Sequence, residues 1–328
     1  MDAPAPASTS VDLELIRSAR ARIAPFIRHT PLEPSPALEE RWGTRVSLKL
    51  ECLQVTGSFK PRLSFNKLLT STPEALARGA VASSAGGHGI GLAYAARALG
   101  ITADLFLPRH ADARKLQVMK RLGATIHLHD DMKQARDAAI RFAAAEGKLL
   151  VPPYNDPQVI AAGGTVGLEI REDAPDADLV IAGVGGGGLV SGIGIALHPG
   201  ARVWGVQPEN GPVLARWLDA GKPVPVDTRP SIADGLGAMP EEDTLTFPLM
   251  RRHVERMLLV SDEEIRAAMT WLLQEHQLVV EPSGAAPIAA LLREPPRGAR
   301  HVVAVITGRN IAAPRYLNLV TTPEVHPS

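Results

Sequence analysis

The chain predicts an α/β fold made of two doubly wound, mostly parallel sheets packed together. Short apolar runs alternate with helical stretches from Gly79 to Val151, and the same alternation returns from Leu179 to Ile306. Strands separated by helices of this length pair in parallel through crossover connections. The clearest single unit is Asp178–Gly192, where an apolar, β-branched run leads into Gly185, Gly186, Gly187 and Gly188 and then into a helix from Leu189 to Leu197.

In order, Ser10 is expected to cap an amphipathic helix over Val11–Ile23, with Asp12 and Glu14 in its first turn and Ile16, Ala19 and Ile23 on one face. Prolines 31, 34 and 36 predict an extended connection, and Val46, Leu48 and Leu50 alternate as a strand leading into Glu51–Arg62. The first αβ series places strands at Ala80–Ala82, Ala103–Leu107, Thr125–Leu128 and Leu149–Val151, with helices at Ile90–Leu99, Ala113–Leu122 and Met132–Ala145. The second places strands at Leu179–Val184, Val203–Val206, Met257–Val260 and His301–Ile306. Ser261 and Glu264 form a capping box that opens a helix to about Gln277.

The 328 residues are 45% hydrophobic and 21% charged, with 35 basic and 35 acidic side chains, so they form an ordinary globular core without a single-sign charge block. That balance excludes a nucleic-acid footprint and a membrane-surface patch and leaves a small molecule as the expected partner. The single cysteine, Cys52, forms no internal disulfide, leaves no cysteine-based zinc pattern and reads as a small buried hydrophobe. The first ten residues carry no basic start and no apolar core, which predicts a Pro/Ala tail on a cytoplasmic protein without a membrane span.

Four bare glycines after a buried strand let backbone N–H groups converge on one phosphate at a helix N-terminus. The same run satisfies G-x-G-x-x-G from Gly183 to Gly188, and Glu209 lies 26 residues beyond Gly183, so a dinucleotide site and an NAD-dependent oxidoreductase stand as an alternative. Four other segments, each expected after a strand, join the glycine run at the carboxyl edge of the sheets: Thr56–Lys60, Ser83–His88, Glu281–Gly284 and Thr307–Asn310.

Together these segments resemble the fold type II pyridoxal-phosphate enzymes, which have a tryptophan synthase beta-like fold, and in particular their threonine/serine dehydratase and serine racemase branch. Thr56-Gly-Ser-Phe-Lys60 is similar to that family's Schiff-base motif, Ser84-Ala-Gly-Gly-His88 to its substrate-carboxylate loop, and Gly185–Gly188 to its phosphate cradle. Glu281-Pro-Ser-Gly-Ala285 and Thr307-Gly-Arg-Asn310 are similar to its two C-terminal segments, the hydroxyl of the second facing the pyridine nitrogen. The resemblance runs in order from about Ile23 to Leu319. It implies that Lys60 carries pyridoxal 5′-phosphate and acts as the catalytic base. It implies cofactor contacts from Phe59, Gly87, Gly185–Gly188, Leu189, Glu281 and Thr307, and substrate contacts from Ser84, Ala85, Gly86 and His88. It further implies a large cofactor-binding domain of residues 1–60 and 152–328, a small domain of residues 61–151, and a homodimer.

Taken singly, these residues have plainer readings. A lone lysine is most often a solvated surface charge, His88 reads as a structural hydrogen-bonder, Glu281 as a cap of the Gly284–Leu292 helix, and Thr307 as the end of a strand. The chemistry still fits: a desolvated lysine beside a cationic ring has a depressed pKa and serves as imine former and base. A hydroxyl facing the pyridine nitrogen makes a shallow electron sink, suited to elimination.

The chain departs from the family pattern at Gly87, where asparagine normally contacts the ring oxygen, at Gly163, where glutamine is expected, and at Leu63, where glycine is usual. Small residues at 87 and 163 are expected to enlarge the pocket for a β-hydroxy amino acid bulkier than threonine. Ala85 lacks the hydroxyl that racemases place opposite the lysine, and racemisation needs proton donors on both faces. The expected activity is therefore a dehydratase, an ammonia-lyase giving a 2-oxo acid and ammonia, ahead of the alternatives of a racemase or a non-catalytic cofactor-binding relative. No divalent-metal site is expected in Gln207–Val213, and the short stretch after Thr307 predicts no C-terminal regulatory domain.

Overall fold

The computed structural model describes residues 10–321. Its strands are β1 (Leu32–Pro34), β2 (Arg45–Lys49), β3 (Ala80–Ser83), β4 (Ala103–Pro108), β5 (Thr125–His129), β6 (Leu149–Leu150), β7 (Leu179–Gly183), β8 (Arg202–Pro208), β9 (Arg256–Val260) and β10 (His301–Val305). The helices are α1 (Leu13–Ile23), α2 (Pro36–Trp42), α3 (Lys60–Leu69), α4 (Pro73–Ala77), α5 (Gly87–Ala98), α6 (Ala113–Arg121) and α7 (Met132–Glu146). They continue with α8 (Pro157–Asp173), α9 (Gly188–Leu197), α10 (Val213–Ala220), α11 (Thr246–His253), α12 (Asp262–His276), α13 (Pro282–Arg293) and α14 (Ala313–Thr321).

Six strands form one sheet in the order β1-β2-β10-β7-β8-β9, and four form a second in the order β5-β4-β3-β6. Every pairing is parallel except that of β1 with β2. Helices cover both faces of the larger sheet, so its central strands β7 and β10 are buried throughout. Val305 of β10 is in register with Lys49 of β2 and Ala182 of β7, so the three chains leave the sheet at one edge. Among the described residues no helix is long and apolar enough to cross a membrane.

Several local expectations are corrected. The cap of α1 is Asp12, whose carboxylate accepts from the Leu15 N–H at 2.8 Å, so the helix begins at Leu13. The proline-rich connection contains β1 and also α2, which opens with Pro36 at its first turn, where a missing N–H costs nothing. β2 is buried on both faces from Val46 to Lys49, and its apparent polar face is a buried ionic one. Glu281–Gly284 follows α12 through a short loop, and no strand precedes it directly. Cys52 is fully buried, and burial pushes its thiol up to about 12. The expected Pro/Ala tail lies outside the described residues.

Candidate active site

Lys60 is the first residue of α3, and its position is set by a buried ionic network two residues further on. The Arg62 guanidinium donates to both oxygens of Glu51, at 2.9 and 2.8 Å, and to Glu169 at 2.6 Å, while Lys49 pairs with Glu169 at 2.9 Å. All four side chains are buried. Truncating one partner of such a set leaves an uncompensated charge and costs about 3–5 kcal/mol. On the other side, the Phe59 N–H donates to the Thr307 carbonyl, Ser58 bridges Gly308, and the Arg309 N–H donates to the Gly57 carbonyl. The lysine segment is thereby stitched to the chain leaving β10.

The Lys60 ammonium lies 4.7 Å from the Phe59 ring centroid. Loss of hydration lowers its pKa to about 8, with the Glu281 charge opposing. A substantial neutral fraction near physiological pH is what an imine-forming amine requires. Glu281 does not cap α13 with its side chain. Its carboxyl lies against Gly308, accepts from the Asn310 backbone N–H and is raised to about 7 by burial. Lys115 of α6 pulls the other way; its ammonium, buried in the cleft, is 3.5 Å from Asp234.

The Ser84–His88 loop turns into α5 with Gly86 as the cap residue, so the helix begins three residues earlier than the sequence suggests and its first N–H groups face the cleft. The Gly86 N–H donates to Ser84 Oγ at 3.2 Å. His88 donates through Nε2 to the Val151 carbonyl at 2.9 Å; burial and the Lys60 charge lower it to about 4, keeping the ring neutral. That is the structural role read for it. Gly87 faces Lys60: a Cβ there would lie 3.2 Å from Ser58 Oγ, 3.5 Å from Lys60 Cγ and 3.8 Å from Asn310 Nδ2.

Gly185–Gly188 join β7 to α9. Of the four, only Gly187 has a positive φ, of 87°. The remaining glycines answer crowding: a Cβ on Gly186 would fall inside the Tyr154 ring, and one on Gly185 would be 2.8 Å from the Gly235 carbonyl. The Gly235 N–H is in turn held by Ser283 Oγ at 3.0 Å, two residues beyond Glu281. Leu189 shares an apolar cluster with Phe59 and Leu63.

Gly163 backs directly onto the end of the glycine turn. It lies where α8 crosses α9, and a Cβ there would be 3.2 Å from Leu189 Cα and 3.3 Å from the Gly188 carbonyl. The expected pocket enlargement at 163 is therefore withdrawn: its missing side chain lets two helix backbones approach. Sequence reasoning also gave no role to Tyr154, Lys115 and Asp234, which come from segments without a motif. Ser58 and Asn310 lay inside motifs but were not singled out.

A phosphate-bearing aldehyde fits these residues. The glycine turn has room for little but backbone, Lys60 is a depressed amine, and Thr56 Oγ1, Ser58 Oγ and Asn310 Nδ2 are buried without a hydrogen-bond partner. Residues 23–308 match the family described as pyridoxal-phosphate dependent enzyme. The chain belongs to that family. It is 40% identical to the L-threonine ammonia-lyase of Thermotoga maritima over 305 residues, covering 92% of this chain and 76% of that protein. It is 37% identical to the phenylserine dehydratase of Ralstonia pickettii, over 87% of this chain and 88% of that protein. Maize serine racemase superposes with a TM-score of 0.89 at 31% identity, over 94% of this chain and 96% of that one. Membership makes pyridoxal phosphate the cofactor and removes the dinucleotide alternative. Glu209, its expected acidic partner, lies exposed past the end of β8.

Proposed function

We propose that the chain is a dehydratase that eliminates water from a β-hydroxy-α-amino acid and releases a 2-oxo acid and ammonia. The observation that carries this reading is the one-sided chemistry of the cleft: Lys60 is a base with a lowered pKa, and Ala85, on the carboxylate loop, has no proton to give. Bound pyridoxal phosphate supplies the aldehyde that joins the amino group and the ring that draws electrons from Cα. The N-terminal turn of α5, with Ser84 and Gly86, binds the substrate carboxylate through N–H groups and the helix dipole. Lys60 removes the Cα proton. The Thr307 hydroxyl would hold the ring nitrogen without a formal charge, which suits elimination of a β-substituent. Gly185–Gly188 and Leu189 hold the phosphate end, and Phe59 walls the lysine.

The L-threonine ammonia-lyase and phenylserine dehydratase relatives support a β-hydroxy amino acid as the substrate class. The division into a large domain, residues 1–60 and 152–328, and a small domain, residues 61–151, belongs to the same reading, as do a homodimer and a cytoplasmic location. Light scattering on the purified protein tests the dimer. The reaction itself is tested by mixing the loaded enzyme with L-threonine, L-serine and phenylserine and measuring ammonia and 2-oxo acid. Lys60→Ala is expected to abolish release and the cofactor's covalent absorbance together; turnover retained in that variant rejects the assignment.

A further inference from the structure

Two buried donors beside Lys60 have no partner in the protein. Ser58 Oγ belongs to a side chain only 3% exposed, and Asn310 Nδ2 is likewise cut off from solvent. Both lie within 4 Å of the point where a Cβ on Gly87 would stand, and the Lys60 stem passes the same point. Buried donors are rarely left unsatisfied, so two this close to one point call for an acceptor beside them.

The chemistry of the cofactor says which acceptor. In pyridoxal phosphate the carbon bearing the aldehyde has two ring neighbours; one carries the phosphate arm and the other a phenolic oxygen. With the aldehyde at Lys60 and the phosphate at the glycine turn, the phenolic oxygen points away from that turn. The atoms crowding Gly185–Gly188 come from Gly235, Leu236, Tyr154, Met250 and Thr246, a set that includes neither Ser58 nor Asn310. Ser58 and Asn310 gather instead at Gly87, beside the Lys60 stem.

We infer that Ser58 Oγ and the Asn310 side-chain amide together hold the phenolic oxygen of the cofactor, a contact that Gly87 itself has no side chain to make. Asn310 is well held for this. Its backbone N–H is bound by the Glu281 carboxyl, and the residue before it donates to the Gly57 carbonyl. Two donors on one oxygen stabilise its anionic form. They make Ser58 and Asn310 positioning residues for the ring, which in turn fixes the Cα proton relative to Lys60.

This rests on the cofactor assignment above, and the test separates the two. Apoenzyme is titrated with pyridoxal 5′-phosphate and with its 3-deoxy analogue, which lacks the phenolic oxygen, and affinity and visible spectrum are recorded. The wild type is expected to bind the analogue about tenfold or more weakly than the parent. Asn310→Ala and the near-isosteric Ser58→Ala are each expected to lose affinity for the parent but little for the analogue. Their spectra should show the protonated phenol persisting to higher pH. Gly87→Asn in the Asn310→Ala background, restoring an amide from the opposite wall, is expected to recover part of the loss. Parent affinity within about twofold of wild type in either single variant, with an unchanged spectrum, overturns the inference. Ser58→Ala adds no volume, so it decides the matter even if Asn310→Ala fails to fold. A wild-type protein that binds neither ligand rejects the cofactor role itself.

Discussion

Two glycine-rich turns meet in this cleft, and they use glycine for opposite reasons. At residues 185–188 the neighbours leave no volume: the Tyr154 ring covers Gly186, the Tyr154 Cβ and backbone lie on Gly188, Gly235 abuts Gly185, and Met250 and Thr246 press on Gly187. At residues 86 and 87 the glycines border space. Nothing lies within 4 Å of a Cβ on Gly86, and the nearest atom to one on Gly87 is the hydroxyl of Ser58, free to turn. The first turn is closed in by an aromatic ring and by backbone, whereas the second meets at most the ends of side chains. A glycine in a motif therefore states a function only once its neighbours are known.

The contrast can be broken at its strong end with Gly186→Ala. The methyl displaces Tyr154, whose hydroxyl donates to Glu241 at 3.2 Å, so the ring cannot yield without losing that bond. A loss of about 1–3 kcal/mol in stability is expected from denaturant melts, with cofactor affinity falling alongside. Unchanged melts and affinity would show the cradle to be loose.

A smaller, pH-dependent effect belongs to Glu281, buried against Gly308. Its carboxyl is raised from 4.5 to about 7, so the folded apoenzyme binds this proton more tightly than the unfolded chain does. Its contribution to stability is complete below about 4.5 and is lost as pH rises through about 7. Glu281→Gln is expected to flatten the apoenzyme's stability across that window, by an amount of order 1–3 kcal/mol. Parallel profiles for the two proteins would place the charge elsewhere.

The smallest effect is expected at Gly86→Ala. With its Cβ in open space and a negative φ, stability should stay within about 0.5 kcal/mol of wild type, while KM rises because the methyl enters the substrate side. A large drop in Tm would mean that this turn, too, is packed shut.

Much of this was legible in the chain. The strand-glycine-helix unit at 178–192, the alternation from Ala80 to Val151 and the Ser261–Glu264 capping box all act locally, through side-chain periodicity and backbone freedom, and apart from the early start of α5 the elements follow within a residue or two. The start of α1 was misplaced because two polar residues two positions apart can each cap, and α2 was missed because the prolines around it read as breakers although Pro36 opens a helix. Gly163 was misread because its partner is the backbone of a helix more than twenty residues away, which carries no local signal. Tyr154, Lys115 and Asp234 escaped notice for the same reason.

By itself the sequence determined which residues can do chemistry here: an amine at 60, a run without side chains at 185–188, a hydroxyl at 307 and no hydroxyl at 85. Those are properties of residue types at fixed chain positions, independent of what stands opposite. Only the tertiary structure decided the state of each group. Burial lowers Lys60 and raises Glu281, crowding makes the glycines at 185–188 obligatory, and packing of the lysine loop on β10 buries Ser58 Oγ and Asn310 Nδ2 without a protein partner. Solvation and proximity are set by groups remote in sequence, and they exist only once the chain has closed on itself.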